Sequence, residues 1–159
     1  MPTTPLVDFL DSVSKKSGKK FLIDHHVQAE VVVGQLDPKE VTYSSLLVIL
    51  RNNGLAAVSI GEIVNIVPAG IVRQYPLPVL FEDDNSIDNE EWVTRVIQLE
   101  NSPAPQLVPI MRPLLPRAGH MAANAMSNSI LIVDRYANVK RVTEMIRRMD
   151  TLTPSQTEQ

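Results

Sequence analysis

Asp134 is the residue of this 159-residue sequence most open to a chemical reading, because it closes the apolar run Ile130-Leu131-Ile132-Val133 and a helix-like pattern follows at once. In enzymes a carboxylate at a strand tip serves as phosphate acceptor, metal ligand or general base. Those roles need further acids at other strand ends or a glycine-rich phosphate loop. Neither is present: the sequence holds no G-x-G, no G-x-x-x-x-G-K and no G-x-S-x-G. An aspartate directly before a helix has a simpler use. It accepts hydrogen bonds from the first free N–H groups and complements the positive end of the helix dipole, worth about 1 kcal/mol. Capping is the expected role.

His25 and His26 are the next candidates. In an extended segment adjacent side chains point to opposite sides, so the two imidazoles are not expected to converge on one ion, and only His120 remains elsewhere. They read as a solvated turn between strands. Lys15, Lys16, Lys19 and Lys20 form the sole dense basic run; it lacks the interleaved aromatics of a phosphate-tracking surface and reads as a solubilising helix end. Pro105, Pro109 and Pro113, spaced by four, lie near one another on a helix surface. Pro109 and Pro113 each remove a donor from the helix ladder, which leaves the carbonyls of Pro105 and Pro109 to face water or an outside donor. This stripe is expected outside the domain's own core, as a kinked surface helix or a subunit contact. No catalytic, cofactor-binding or metal-ligating set emerges.

The bulk properties agree with a globular protein built on aliphatic residues, with 44% hydrophobic, 21% charged and 4% aromatic residues. The length suits one ordinary domain or two small ones. A net charge of −3 argues against a nucleic-acid or acidic-membrane partner. The charge is uneven, since residues 71–90 carry one basic and five acidic groups. The absence of cysteine excludes disulfides and thiolate metal sites without fixing a compartment. No run approaches the ~18 apolar residues of a membrane span. Met1-Pro2-Thr3-Thr4 is no signal peptide, so an exported parent is expected to have lost its targeting signal.

Helices and strands must position these groups. Leu6, Phe9, Leu10 and Val13 predict an amphipathic helix over 5–16, ended by Gly18. Phe21–Ile23 and Val31–Val33 read as strands. Asp37-Pro38-Lys39-Glu40 predicts a helix start, with Tyr43, Leu46, Leu47 and Leu50 as its stripe and Asn53-Gly54 as its stop. Leu55–Val58 and Ile63–Val67 read as a hairpin. The order over 1–70 is α-β-β-α-β-β. Residues 71–91, proline-bearing and then acidic, read as a linker. In 92–150 a strand (Val93–Leu99), a proline-bearing helix from Ser102-Pro103, a hairpin (Gly119–Met126 and Ile130–Val133) and a last helix (Arg135–Met149) give β-α-β-β-α. Residues 151–159 read as a flexible tail. The fold class is α+β, two small α/β sandwich domains, an architecture of modular tethers more than of enzyme cores.

The stretches LVDFLDSVSKKSGKKFLIDHHVQAEVVV, LLVILRNNGLAAV and EIVNIVPA resemble the first periplasmic N-domain of bacterial secretins, the outer-membrane channels of secretion systems. VTRVIQLENSPAPQLVPIMRPLL with NSILIVDRYANVKRVTEMIRRMD is similar to the next N-domain, whose fold is K-homology-like. The acidic linker most resembles the type II secretion branch. The resemblance implies a non-enzymatic, cofactor-free periplasmic portion of an outer-membrane protein that stacks as homo-oligomeric rings, contacts secreted proteins and docks on the clamp-type protein of the inner-membrane platform. A signalling domain of a transducing outer-membrane receptor, or a secretin of a type IV pilus or type III system, are the alternatives. The family's first domain runs βαββαββ, and its first strand is expected to be missing here. No two glycines stand three apart, so the G-x-x-G loop of RNA-binding K-homology modules is absent. From edge-strand chemistry and this analogy, Val31, Val32, Val33, Ile63, Val64, Asn65, Ile66 and Val67 are the expected partner-binding residues. Pro105, Pro109, Pro113, Arg135, Lys140, Arg141, Arg147 and Arg148 are expected at the ring interface.

Overall fold

The computed structural model describes residues 3–28 and 30–150. It divides into two units, Met1–Tyr75 and Pro76–Gln159. The expected tail at 151–159 lies outside the described residues.

In the first unit the strand expected to be missing is present. β1 (Thr4–Pro5) pairs antiparallel with β3 (Glu30–Val31), ahead of α1 (Leu6–Ser17). Two residues are too few to show a period of two, and Pro5 has no amide to donate, so this strand leaves almost no sequence signal. α1 buries Leu6, Phe9, Leu10 and Val13. It ends at Gly18, whose φ of 75° lets its amide return to the Ser14 carbonyl. The three-stranded sheet has the order β2-β5-β4, with β2 (Lys20–Ile23) parallel to β5 (Ile63–Pro68) and β4 (Leu55–Ile60) antiparallel to it. β4 and β5 turn through Gly61-Glu62, with glycine supplying the positive φ at the first turn position.

The helix expected to start at Asp37-Pro38 starts later. Asp37 accepts the Lys39 amide at 3.0 Å, but only one 3-10 turn (Pro38–Glu40) forms before Val41 goes extended. α2 (Tyr43–Asn52) has Thr42 as its own N-cap, accepting from the Ser45 amide at 3.2 Å. Asn53 ends it and does more. Its amide side chain accepts the Val32 N–H at 2.8 Å and donates to the carbonyls of Val32 at 2.9 Å and Ile49 at 2.8 Å. Asn53→Ala strips two hydrogen bonds tying the end of α2 to the segment after β3 and a third within α2, and is expected to cost about 1–2 kcal/mol in urea unfolding. Helices α1 and α2 close over one sheet face, joining Phe9, Leu46, Leu50, Val64 and Ile66 in one core. A 3-10 segment (Ala69–Gln74) follows β5 and buries Val72, so the first unit extends to Tyr75.

The second unit has a four-stranded sheet of order β6-β7-β9-β8. β6 (Val79–Leu80) lies parallel to β7 (Trp92–Gln98), and β8 (His120–Asn124) and β9 (Ser129–Arg135) are antiparallel neighbours. α3 (Ala104–Met111) and α4 (Tyr136–Asp150) complete the β-α-β-β-α order. Val93, Ile97, Ile130 and Ile132 from the sheet pack with Leu107, Met111, Val139, Val142 and Ile146 from the helices. Each such side chain removed from water contributes roughly 1.5–3 kcal/mol.

The expected linker at 71–91 is therefore not a free connection. Residues 71–74 finish the first unit, and 76–91 are built into the second as a strap. Leu80 and Ile87 join its core. The Asp84 amide donates to the Tyr136 hydroxyl at 2.7 Å, Lys140 reaches Asn89 Oδ1 at 2.6 Å, and the Glu91 and Asn89 carbonyls accept the Tyr136 and Ala137 amides at 2.8 Å. Asp84 and Asp88 each fold the strap locally by accepting the amide two residues on, a turn in which a polar sequence has a fixed shape. Ser86 also donates its hydroxyl, and together these bonds hold the Asp84 carboxyl below the usual carboxylate range.

Candidate interaction surfaces

Asp134 is 1% exposed, and among the described residues it belongs to no acidic or histidine cluster of the kind a metal site needs. One oxygen accepts the Arg135 amide at 2.6 Å and the other accepts from the Asn138 side chain, which also donates to the Leu114 carbonyl at 3.1 Å. The expected capping is thus corrected in detail. β9 continues through Arg135, so Asp134 stands one residue too far from α4 to receive its first amides, and the strap carbonyls of Asn89 and Glu91 take them instead. Asp134 fastens the first turn through Asn138.

Another carboxylate, which leaves little signal in the sequence, gathers three backbone amides. Asp150, the last residue of α4, accepts the amides of Glu100, Asn101 and Ser102 at 2.9, 2.9 and 2.7 Å, just ahead of α3. Burial alone would raise its pKa, but these three N–H groups outweigh it and hold the carboxyl below its ordinary value. The closing Met-Asp pair of the sequence was its only trace.

The proline stripe lies at the surface, with Pro105, Pro109 and Pro113 all exposed beside exposed Ile110. Pro109 lies inside α3, and past Met111 the helix tightens into a 3-10 turn (Arg112–Leu114) containing Pro113. The five cations split into two sets. Arg135 lies over the Trp92 ring at 4.9 Å, and Lys140 bonds Asn89 and lies over Tyr136 at 4.7 Å, so both are committed within the unit. Arg141, Arg147 and Arg148 are exposed on α4; Arg141 Nη2 donates to the Leu114 carbonyl at a long 3.4 Å, and Arg148 pairs with Glu144 at 3.0 Å, a solvated i,i+4 contact of small energy.

In the first unit the edge-strand expectation fails for Ile63–Val67. β5 is the middle strand, paired on both sides, because β2 crosses over to lie parallel to it. The backbone of this stretch offers no open ladder to a partner. Val31 is buried and paired with Thr4, while Val32 is exposed with its amide and carbonyl taken by Asn53. The lysine run is divided as well: Lys16 bonds the Lys39 and Val41 carbonyls and Lys19 lies over Tyr43 at 4.5 Å. A shallow groove of about 570 Å³ between α1 and the 38–40 turn sets Asp8, Asp11 and Asp37 against Lys15, Lys16 and Lys39. Residues 25 and 26 form the expected exposed turn, but their rings come together beside Asp24 instead of parting.

The two small helix-on-sheet units leave the prolines of α3 and three arginines of α4 exposed. Residues 94–154 match the family described as the bacterial type II/III secretion system short domain. Over 90% of its length the chain is 34% identical to secretin XcpQ of Pseudomonas aeruginosa, and over 92% it is 28% identical to secretin GspD 2 of Escherichia coli. It spans about a fifth of each of these relatives, 21% and 22%. Among solved structures, the Klebsiella pneumoniae type II secretion system outer membrane complex of PulD, PulS and the PulC HR domain has a chain matching 92% of this one with 27% identity and a TM-score of 0.75, over 26% of that chain. The chain is thus similar to the N-terminal domains of type II secretion secretins, and the family match falls on its second unit. Among the described residues no helix is long and apolar enough to cross a membrane.

Proposed function

We propose that this chain is the periplasmic, non-enzymatic part of a type II secretion secretin, in which the two units form stacked rings of the export conduit and the first docks on the inner-membrane platform. The observation that carries the reading is the TM-score of 0.75 over 92% of the chain to a type II outer-membrane complex that also contains an HR domain. The receptor alternative would use the first unit alone and leaves the family match over 94–154 without a purpose.

Within this reading the ring contact uses the proline face of α3, where Pro105, Pro109 and Pro113 are exposed, and the outward cations Arg141, Arg147 and Arg148 of α4. Arg135 and Lys140, already engaged with Trp92, Tyr136 and Asn89, hold the strap rather than a neighbour. Platform docking uses Val31 to Val33 beside the short β1–β3 sheet.

Reversing Arg141 and Arg147 together to glutamate in the secretin that carries this chain tests the ring contact. The expected result is a severalfold drop in assembled oligomer on native gels, since like charges across a contact cost several kcal/mol. The unfolding free energy of the chain itself should change by only about 0.5 kcal/mol, as for other surface changes. Full oligomer yield in the double variant would refute this placement.

A further inference from the structure

β2 leaves its sheet at Asp24, whose amide still donates to the Ile66 carbonyl at 2.9 Å. Asp24 then builds the turn that follows. Its Oδ1 accepts the His26 amide at 2.9 Å, and its carbonyl accepts the Val27 amide at 3.0 Å. The tight turn breaks the alternation an extended strand would impose, and both imidazoles fall on one side. Their ring centroids lie 3.8 Å apart at an interplanar angle of 41°. His26 Nδ1 is 2.9 Å and His25 Nδ1 3.9 Å from the same carboxylate oxygen. One ligand atom from each of the three residues lies within 4.8 Å of the other two.

We propose that Asp24, His25 and His26 form a binding site for a divalent transition-metal ion. Two imidazoles and a carboxylate are the donors that Zn²⁺, Ni²⁺ and Cu²⁺ accept; a single carboxylate is too few hard oxygens for Ca²⁺ or Mg²⁺. The distances suit such an ion. Donors at about 2.0–2.2 Å from a tetrahedral metal stand roughly 3.3–3.6 Å from one another, so small rotations of the rings bring all three atoms onto it. The rings have room to make them, with side chains 83% and 66% exposed, whereas Asp24, at 19%, is held by the turn it forms. One ligand is thus fixed in advance and two adjust, and the remaining coordination positions stay open to water or to a donor from another molecule. The site sits on the first unit and stands independently of the assembly role proposed above.

The test titrates the whole chain with ZnCl₂ and, separately, CuCl₂, following heat by calorimetry and the imidazole nitrogens by NMR. One ion per chain is expected, shifting the resonances of His25 and His26 and leaving those of His120 unmoved. His25→Ala and His26→Ala should each weaken binding at least about tenfold, the loss that even outer-shell metal partners typically show. Asp24→Asn retains the side-chain oxygen that accepts the His26 amide, so the turn persists while the anionic ligand is lost, and it should weaken binding with an unchanged circular dichroism spectrum. Absence of saturable binding overturns the proposal. So does equal affinity in the His25→Ala, His26→Ala double variant, which would place the ion at His120 or at the terminal amine.

Discussion

Asp150→Ala is expected to lower the unfolding free energy of the second unit by about 3 kcal/mol. A carboxylate at the C-terminal end of a helix is poorly placed for the helix dipole, and Asp150 is only 8% exposed, so two terms oppose it. Three charge-assisted hydrogen bonds from Glu100, Asn101 and Ser102 offset them, and they tie the end of α4 to the entry of α3. Alanine leaves all three amides without that acceptor. The pH dependence follows in sign: because the folded pKa is depressed, the stabilisation is fully present above the unfolded value near 4 and is lost as the pH falls below it. Trp92, the one tryptophan of the sequence, is buried in this unit and reports the transition by fluorescence. Wild type should lose stability below about pH 4 more steeply than Asp150→Asn, which has no carboxyl at that position to titrate. Equal pH profiles would show that the three-amide nest is not a source of stability.

Asp83→Ala ranks second, with an expected loss of about 2–3 kcal/mol. Arg95 is 1% exposed on the helix-facing side of β7, and its Nη1 donates to Asp83 Oδ1 at 2.8 Å. Its Nε is buried without a partner among the described residues. Removing the aspartate leaves a guanidinium charge in the core, a change that costs about 3–5 kcal/mol for fully buried pairs. The expectation here is smaller because the Asp83 side chain is 57% exposed and water screens it. Arg95→Met removes the charge and fills much of the same space. It should fall within about 1 kcal/mol of wild type or raise stability. The ordering decides the matter: Arg95→Met below Asp83→Ala in urea denaturation would mean that the arginine is a net contributor through bonds beyond this pair.

Much of this architecture is legible in the residues, and the gaps have physical causes. Helices α1 and α4 announce themselves because apolar side chains at 3.6-residue spacing have no other way to share one face: Leu6, Phe9, Leu10 and Val13 are buried, as are Val139, Val142 and Ile146, with Met149 partly so. The β4–β5 hairpin is equally local. What escapes is non-local or brief. β1 is two residues long, and its existence depends on Glu30–Val31 lying opposite. β5 reads as an edge until its parallel pairing with β2, some forty residues away in sequence, makes it central. The 76–91 segment looks like a linker by composition, yet Asp84 and Asp88 spend their polarity on turns and its carbonyls spend theirs on α4. For the candidate surfaces, the exposure of the proline stripe follows from its missing donors, whereas the withdrawal of Arg135 and Lys140 could be seen only once Trp92, Tyr136 and Asn89 had positions. The meeting of the two imidazoles is not legible because side-chain alternation holds for an extended strand and not for the turn that Asp24 builds.

The most direct measurement for the account is a calorimetric titration of this chain with the HR-type periplasmic domain of the inner-membrane clamp protein from the same secretion system. Saturable one-to-one binding is expected, weakening at least about tenfold when Glu30, exposed on β3 beside Val31 to Val33, is reversed to lysine, as for a charge at a docking surface. No saturable binding by the wild-type chain, or the same affinity in Glu30→Lys, would contradict it.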